Sequence, residues 1–169
     1  QEKLNGELPI NRLELLYLIN SWGRTSSFYI NENIQILECE ATQCYDLSKL
    51  DTSEITDMSQ LFAYSEFNGD ISNWDVSNVT NMNSMFSNAR NFNQPIDSWN
   101  TSNVTNMMSM FLNTESFNQD INSWDVSNVK NFCGTFFASK KFNQPLNNWN
   151  VSNVISMRSM FSNAKSFNH

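Results

Sequence analysis

The chain has 169 residues, with 17 acidic and 10 basic side chains and a formal net charge of −7. Hydrophobic residues make up 40% against 16% charged, which argues for a folded chain, and a pI near 4.5 makes nucleic acid a poor electrostatic match. One His, at the last position, and 4 Gly leave little material for metal–His sites, His acid–base chemistry or phosphate loops. No enzyme activity, catalytic residue, metal or cofactor is therefore expected.

In chain order, the start Gln1-Glu2-Lys3-Leu4 does not read as a signal peptide, which predicts either a signal already removed or origin in a longer chain. No stretch approaches the length of an apolar span, so no membrane span is expected in this segment. Ile10, Leu13, Leu16, Tyr17 and Ile19 predict an amphipathic helix over about 9–22. Ile34-Gln35-Ile36-Leu37 then predicts a strand within about 34–47, and the two together read as an N-terminal cap over 1–49. Cys39 and Cys44 could pair if 40–43 turns, but not along one extended strand; Cys133 is left over.

From residue 50 onward the aromatic residues organise the chain. Trp74, Trp99, Trp124 and Trp149 are spaced by 25 residues, and 12 of the 13 Phe and all eight Met lie in the same segment. Five units follow: 50–73, 74–98, 99–123, 124–148 and an incomplete 149–169. Such a period is the mark of a stacked repeat in which each unit buries its apolar face against its neighbours. Within one unit, Ile71, Trp74 and Val76 suggest a short strand, and Met82, Met85, Phe86 and Ala89 at i, i+3, i+4 and i+7 suggest a short helix. Thr80 or Asn81 is its expected N-cap and Asn93 its left-handed C-terminal cap.

The run Trp74-Asp75-Val76-Ser77-Asn78-Val79-Thr80-Asn81-Met82, followed by Met85-Phe86 and Phe92-Asn93-Gln94-Pro95-Ile96, closely resembles the bacterial surface-protein repeat of the BspA-type leucine-rich repeat proteins. The resemblance covers 50–169 and recurs in every unit. It implies a right-handed leucine-rich-repeat-type solenoid; with the strands, helices and cap read above, the expected fold is an α/β repeat with short parallel strands on one face, short helices on the other and an N-terminal helical cap. It also implies a binding or adhesion role at the cell surface or in secretion, a virion or intracellular setting being the alternative, and it brings no catalytic residues.

Two groups of residues are candidates for a partner surface. On the strand face, Asp75, Asn100, Asp125 and Asn150 form one column, in which alternation keeps carboxylates roughly 10 Å apart instead of adjacent. A second alternation, Asp70, Pro95, Asp120, Pro145, gives a 50-residue superperiod. A solvated face tuned against repulsion explains these columns better than a cation site, because calcium needs six to eight oxygens at one point. On the helical side, Met108, Leu112, Cys133 and Phe137 depart from the repeat and would form an apolar patch on two middle helices, unless the helix carrying Thr135 and Gly134 repacks locally. The recurrent Asn of 78, 103, 128 and 153, and of 68, 93, 118, 143 and 168, read as buried turn amides. Sequons at Asn78, Asn100, Asn103 and Asn150 fall where the repeat dictates them.

The expected function is a non-catalytic, surface-displayed binding or adhesion module that makes repeated weak contacts to a protein or glycan. The alternative is a structural or assembly protein whose ends and apolar patch join copies into arrays. The last unit stops mid-turn, which reads as truncation of a longer array or as an open C-terminal end available for self-association.

Overall fold

A computed structural model describes residues 2–21 and 46–169. The expected strand over 34–47 and the Cys39–Cys44 pairing fall outside the described residues, apart from the end of that strand. One α-helix, α1 (Arg12–Ser21), and one 3-10 turn (Leu47–Lys49) are the named elements among the described residues.

Helix α1 is shorter than the 9–22 expected from the sequence. Asn11 caps it: its Oδ1 accepts the Glu14 amide at 2.9 Å, while Glu14 Oε1 accepts the Asn11 amide at 3.2 Å. Its packed face also differs. Leu15, Leu18 and Ile19 are buried, whereas Leu13 is 77% exposed.

The expected solenoid of parallel strands and helices is not what forms. From 50 to 169 there is neither a helix nor a sheet; each unit is a coil of successive tight turns. The backbone amides show why. Across one coil, the N–H groups of Met82, Ser84, Phe86 and Asn88 leave for the carbonyls of Asn106, Met108, Met110 and Leu112 on the next coil, at 2.8–2.9 Å. The intervening Met85, Ser87 and Ala89 amides close local turns onto the carbonyls three residues back. An α-helix would need every one of these donors inside its own segment. Positive φ at Ser84 (56°) and Asn88 (58°) completes the departure, and the same two places recur at 60 and 64, 109 and 113, 134 and 138, and 159 and 163. The expected left-handed Asn93 is not among them.

Met82, Met85, Phe86 and Ala89 are nonetheless all buried. The turn ribbon aims these four side chains inward at the same spacing that a helix would. The expected strand fails likewise, since the Trp74 amide bonds Ile71 O and the Val79 amide bonds Val76 O, so both ends are tight turns. Parallel pairing shrinks to single bridges, Asp57–Asn81–Asn106–Asn131–Ser156 down the stack and Pro9–Asp51 at the N-terminal segment.

The interior is a pair of aromatic columns. Phe62, Phe86, Phe111, Phe136 and Phe161 stack with centroids 5.2–5.6 Å apart and planes within 7° of parallel. Phe67, Phe92, Phe117, Phe142 and Phe167 form the second column at 6.0–6.4 Å. Each such pair adds about 0.5–1.5 kcal/mol beyond the area it buries. Trp74, Trp99, Trp124 and Trp149 each donate their indole N–H to a carbonyl 27 or 28 residues back, respectively Leu47, Ile71, Ile96 and Ile121, at 2.8–3.0 Å. The 25-residue Trp spacing therefore marks a donor as well as an apolar ring.

Along the turn ribbon this bonding has a direction, each coil giving amides forward and receiving them on its carbonyls, while the Thr80, Thr105, Lys130 and Ile155 amides bond back to the preceding coil. Asn81 O and Asn83 O accept the amides of Met58 and Gln60. The corresponding carbonyls of the first coil are Asp57 O and Ser59 O, and there Arg12 stands in, donating from Nη1 at 3.0 Å and Nη2 at 2.7 Å. One guanidinium from the first residue of α1 thus supplies donors that a preceding coil would otherwise provide.

Candidate functional site

Asp75, Asn100, Asp125 and Asn150 are all exposed, as expected, but they lie in turns and not on a strand face. Each uses one side-chain oxygen to accept the amide two residues on, from Ser77, Ser102, Ser127 and Ser152, at 2.9–3.1 Å. Ser77 and Ser127 add their hydroxyls to the Asp oxygens. Those bonds from the serine side chain, then from its backbone, hold the carboxyls of Asp75 and Asp125 below the usual range. Asp70 is lowered in the same way by Ser72. Asp and Asn therefore do one task in this column. No group of three His, Cys, Asp or Glu able to hold a metal occurs among the described residues.

The recurrent amides also bond, although most of them are exposed rather than buried. The Nδ2 groups of Asn78, Asn103, Asn128 and Asn153 donate to Ser53, Ser77, Ser102 and Ser127 carbonyls at 2.6–2.7 Å. Asn68, Asn93, Asn118 and Asn143 each accept, on Oδ1, the amide of the next Asn in the series at 2.9 Å, ending at Asn168. Together they zip the coils edge to edge.

Met108, Leu112, Cys133 and Phe137 do come together on neighbouring coils, since Ser109 N bonds Cys133 O and Asn113 N bonds Phe137 O. They sit on the turn ribbon, not on helices, and all four are half-buried. Asn131 Nδ2 lies 3.7 Å from the Met108 sulfur, and Cys133 Sγ is 2.7 Å from Ser156 Oγ. Thr135, at a Met place in the repeat, is buried, and its one hydroxyl proton has Met107 O at 2.9 Å and Phe132 O at 2.8 Å as acceptors within reach.

The strongly exposed apolar side chains are others: Leu8, Leu13, Tyr64, Val151, Ile155 and Met157. Two concavities accompany them. A cleft of about 520 Å³ runs between the N-terminal segment and the first coil, lined by Leu8, Ile10, Arg12 and Asp57 among others. A smaller groove of about 320 Å³ is lined by Tyr64, Ser65, Glu66, Asn88, Arg90 and Asn91. Beside it a charge ladder crosses three coils: Arg90 lies 4.0 Å from Glu115, which lies 3.1 Å from Lys140. The Lys140 hydrogen bond and charge lower the Glu115 pKa. Sequence reasoning passed over Tyr64. The signal was there, because Tyr64 occupies a place that reads Asn88, Asn113, Ala138 and Asn163 in later coils.

No helix among the described residues is long and apolar enough to cross a membrane. No curated protein and no solved structure matches the chain. Residues 33–132 and again 96–169 match the family described as Mycoplasma protein of unknown function, DUF285. Overlapping matches of this kind are what a 25-residue repeat produces when it slides along its own period. Together they span most of the chain, which therefore belongs to the DUF285 family.

Proposed function

We propose that this chain is a non-catalytic binding module, displayed at a surface, that makes repeated weak contacts to a protein or glycan. The observation that carries the reading is the outward face of the stack, where exposed Asp75, Asn100, Asp125 and Asn150 repeat at one position per coil. Side chains already engaged in their own turns form a pre-organised, shallow surface that suits many weak contacts better than one deep site. The resemblance of residues 50–169 to a bacterial surface-protein repeat supports surface display. The test is an array of glycans and matrix proteins probed with the purified chain as monomer and as a multivalent conjugate. Binding should rise on conjugation by about 10²-fold or more; a blank array for both forms overturns the reading.

A second reading, assembly of copies into larger arrays, is favoured by Ile155, an apolar side chain 81% exposed at a place that reads Thr80, Thr105 and Lys130 in the three preceding coils, all of them exposed. Sedimentation across a concentration range separates the two, because an assembling chain grows with concentration and a binding module does not.

A further inference from the structure

We infer that the groove beside Tyr64 is a carbohydrate subsite that takes one neutral, hydroxyl-bearing pyranose ring. The inference rests on the binding-module reading and names a site and ligand class within it.

Tyr64 departs from its column in two ways at once. Its φ of 60° lies in the left-handed region, which Asn tolerates and a bulky aromatic adopts at a cost. It is also 81% exposed, so no burial compensates for the strain. The other strongly exposed apolar residues lie in the N-terminal segment or on the coil at 149–169. Tyr64 stands on the first coil, whose N-terminal side is met by Arg12 of α1 and not by another coil. Its backbone is held, since its amide bonds Ser87 O at 2.9 Å, so the ring stands on a fixed base.

The rest of the groove matches the edges of a sugar. Asn88 is pre-oriented, with Oδ1 accepting from Asn113 Nδ2 at 2.7 Å and Nδ2 donating to Ser87 Oγ at 3.1 Å. A second lone pair on its oxygen remains for a ligand. Ser65 Oγ accepts the Phe67 amide at 3.0 Å, which leaves its own proton to donate. Arg90 and Asn91 add donors and Glu66 adds acceptors. Vicinal hydroxyls both donate and accept, and the apolar face of a pyranose lies flat on an aromatic ring. Arg90 and Glu66 balance each other in charge, and Glu115 lies 4.0 Å from Arg90, so no net positive charge selects an acidic sugar. A volume of about 320 Å³ has room for a single ring and lies at the small end of ligand sites.

The test is an NMR titration of the whole chain, reading the Tyr64 ring and the Asn88 and Asn91 side-chain amide signals, with methyl mannopyranoside, methyl galactopyranoside and N-acetylglucosamine as neutral probes. N-acetylneuraminic acid is the acidic comparison. At least one neutral probe should shift the Tyr64 ring with a Kd on the order of millimolar. Tyr64→Asn, which places there the residue used in three of the four later coils, should abolish the interaction while leaving the thermal midpoint unchanged or raised. Arg90→Ala, at an exposed position, should weaken it by about threefold to tenfold. Absence of any shift in the wild-type chain, shifts that survive Tyr64→Asn, or binding of the acidic sugar alone would each overturn the assignment. Array binding that persists unchanged in Tyr64→Asn, with no ring shift in the wild type, sinks this subsite and leaves the binding-module reading standing. A blank array for the wild type removes both.

Discussion

At the scale of single residues, the chain uses amides and indoles as connectors between coils. Trp99 is the clearest case, because its ring is buried and its N–H satisfies Ile71 O at 3.0 Å. Trp99→Phe keeps an aromatic ring but removes one of the two bonds to Ile71 O, the Trp74 amide remaining, so urea denaturation should show a loss of about 0.5–1.5 kcal/mol. The carboxylates behave differently. Ser77 and Ser127 hold Asp75 and Asp125 below their ordinary pKa of 3.8, so the folded state favours their charged forms. Their stabilisation is complete above the unfolded pKa and is lost as pH falls through the lower folded value. Both groups are exposed, so the effect is modest. In a pH-resolved melting series, the double variant Asp75→Asn with Asp125→Asn should flatten the fall in stability below about pH 4. The Asn already present at 100 and 150 shows that the turn accepts the amide.

At the scale of the element, the governing unit is a pair of left-handed positions four residues apart. The first of these reads Gln60, Ser84, Ser109, Gly134 and Ser159 down the stack. Gly134 has φ 62°, and a Cβ there would meet Ser109 Oγ at 3.4 Å, so space is not the obstacle. Gly134→Ser should therefore be nearly neutral, matching its column. Gly134→Val should cost about 1–3 kcal/mol, because a β-branched residue resists this backbone region; thermal denaturation of the pair distinguishes conformational strain from simple crowding. The same geometry predicts a far-UV circular dichroism spectrum with little helix, since α1 is the sole α-helix among the described residues. A strongly helical spectrum would contradict the turn ribbon outright.

At the scale of the whole molecule, stability resides in contacts between neighbouring coils, and the turn ribbon has a polarity that leaves carbonyls to be met at its N-terminal end. Arg12 meets two of them, Asp57 O and Ser59 O. Arg12→Ala leaves two carbonyls without their donors and should cost about 1–3 kcal/mol by chemical denaturation. Arg12→Lys should recover only part of this, since a single ammonium lacks the forked geometry. Hydrogen exchange should be slowest at the amides of Met107, Ser109, Phe111 and Asn113, which bond forward from a coil flanked on both sides.

The sequence by itself determined the period, the inward-facing residues and the recurrence of the polar turn positions. Residues 25 apart meet the same neighbours, so Trp, Phe, Met and Asn columns are legible without coordinates. It also located a capping helix, although it assigned Leu13 to the buried side when Leu15 and Leu18 lie there. Only the tertiary structure decided the backbone. The inward set Met82, Met85, Phe86 and Ala89 fits a helix and a turn ribbon equally well, because periodicity reports where side chains point and not where amides bond. What settled it was that every second amide finds a carbonyl on the next coil, a partner 24 residues along the chain that no local pattern reveals. The Tyr64 groove depended on the same stacking, since Arg90, Asn88 and Tyr64 become neighbours only once two coils lie in register.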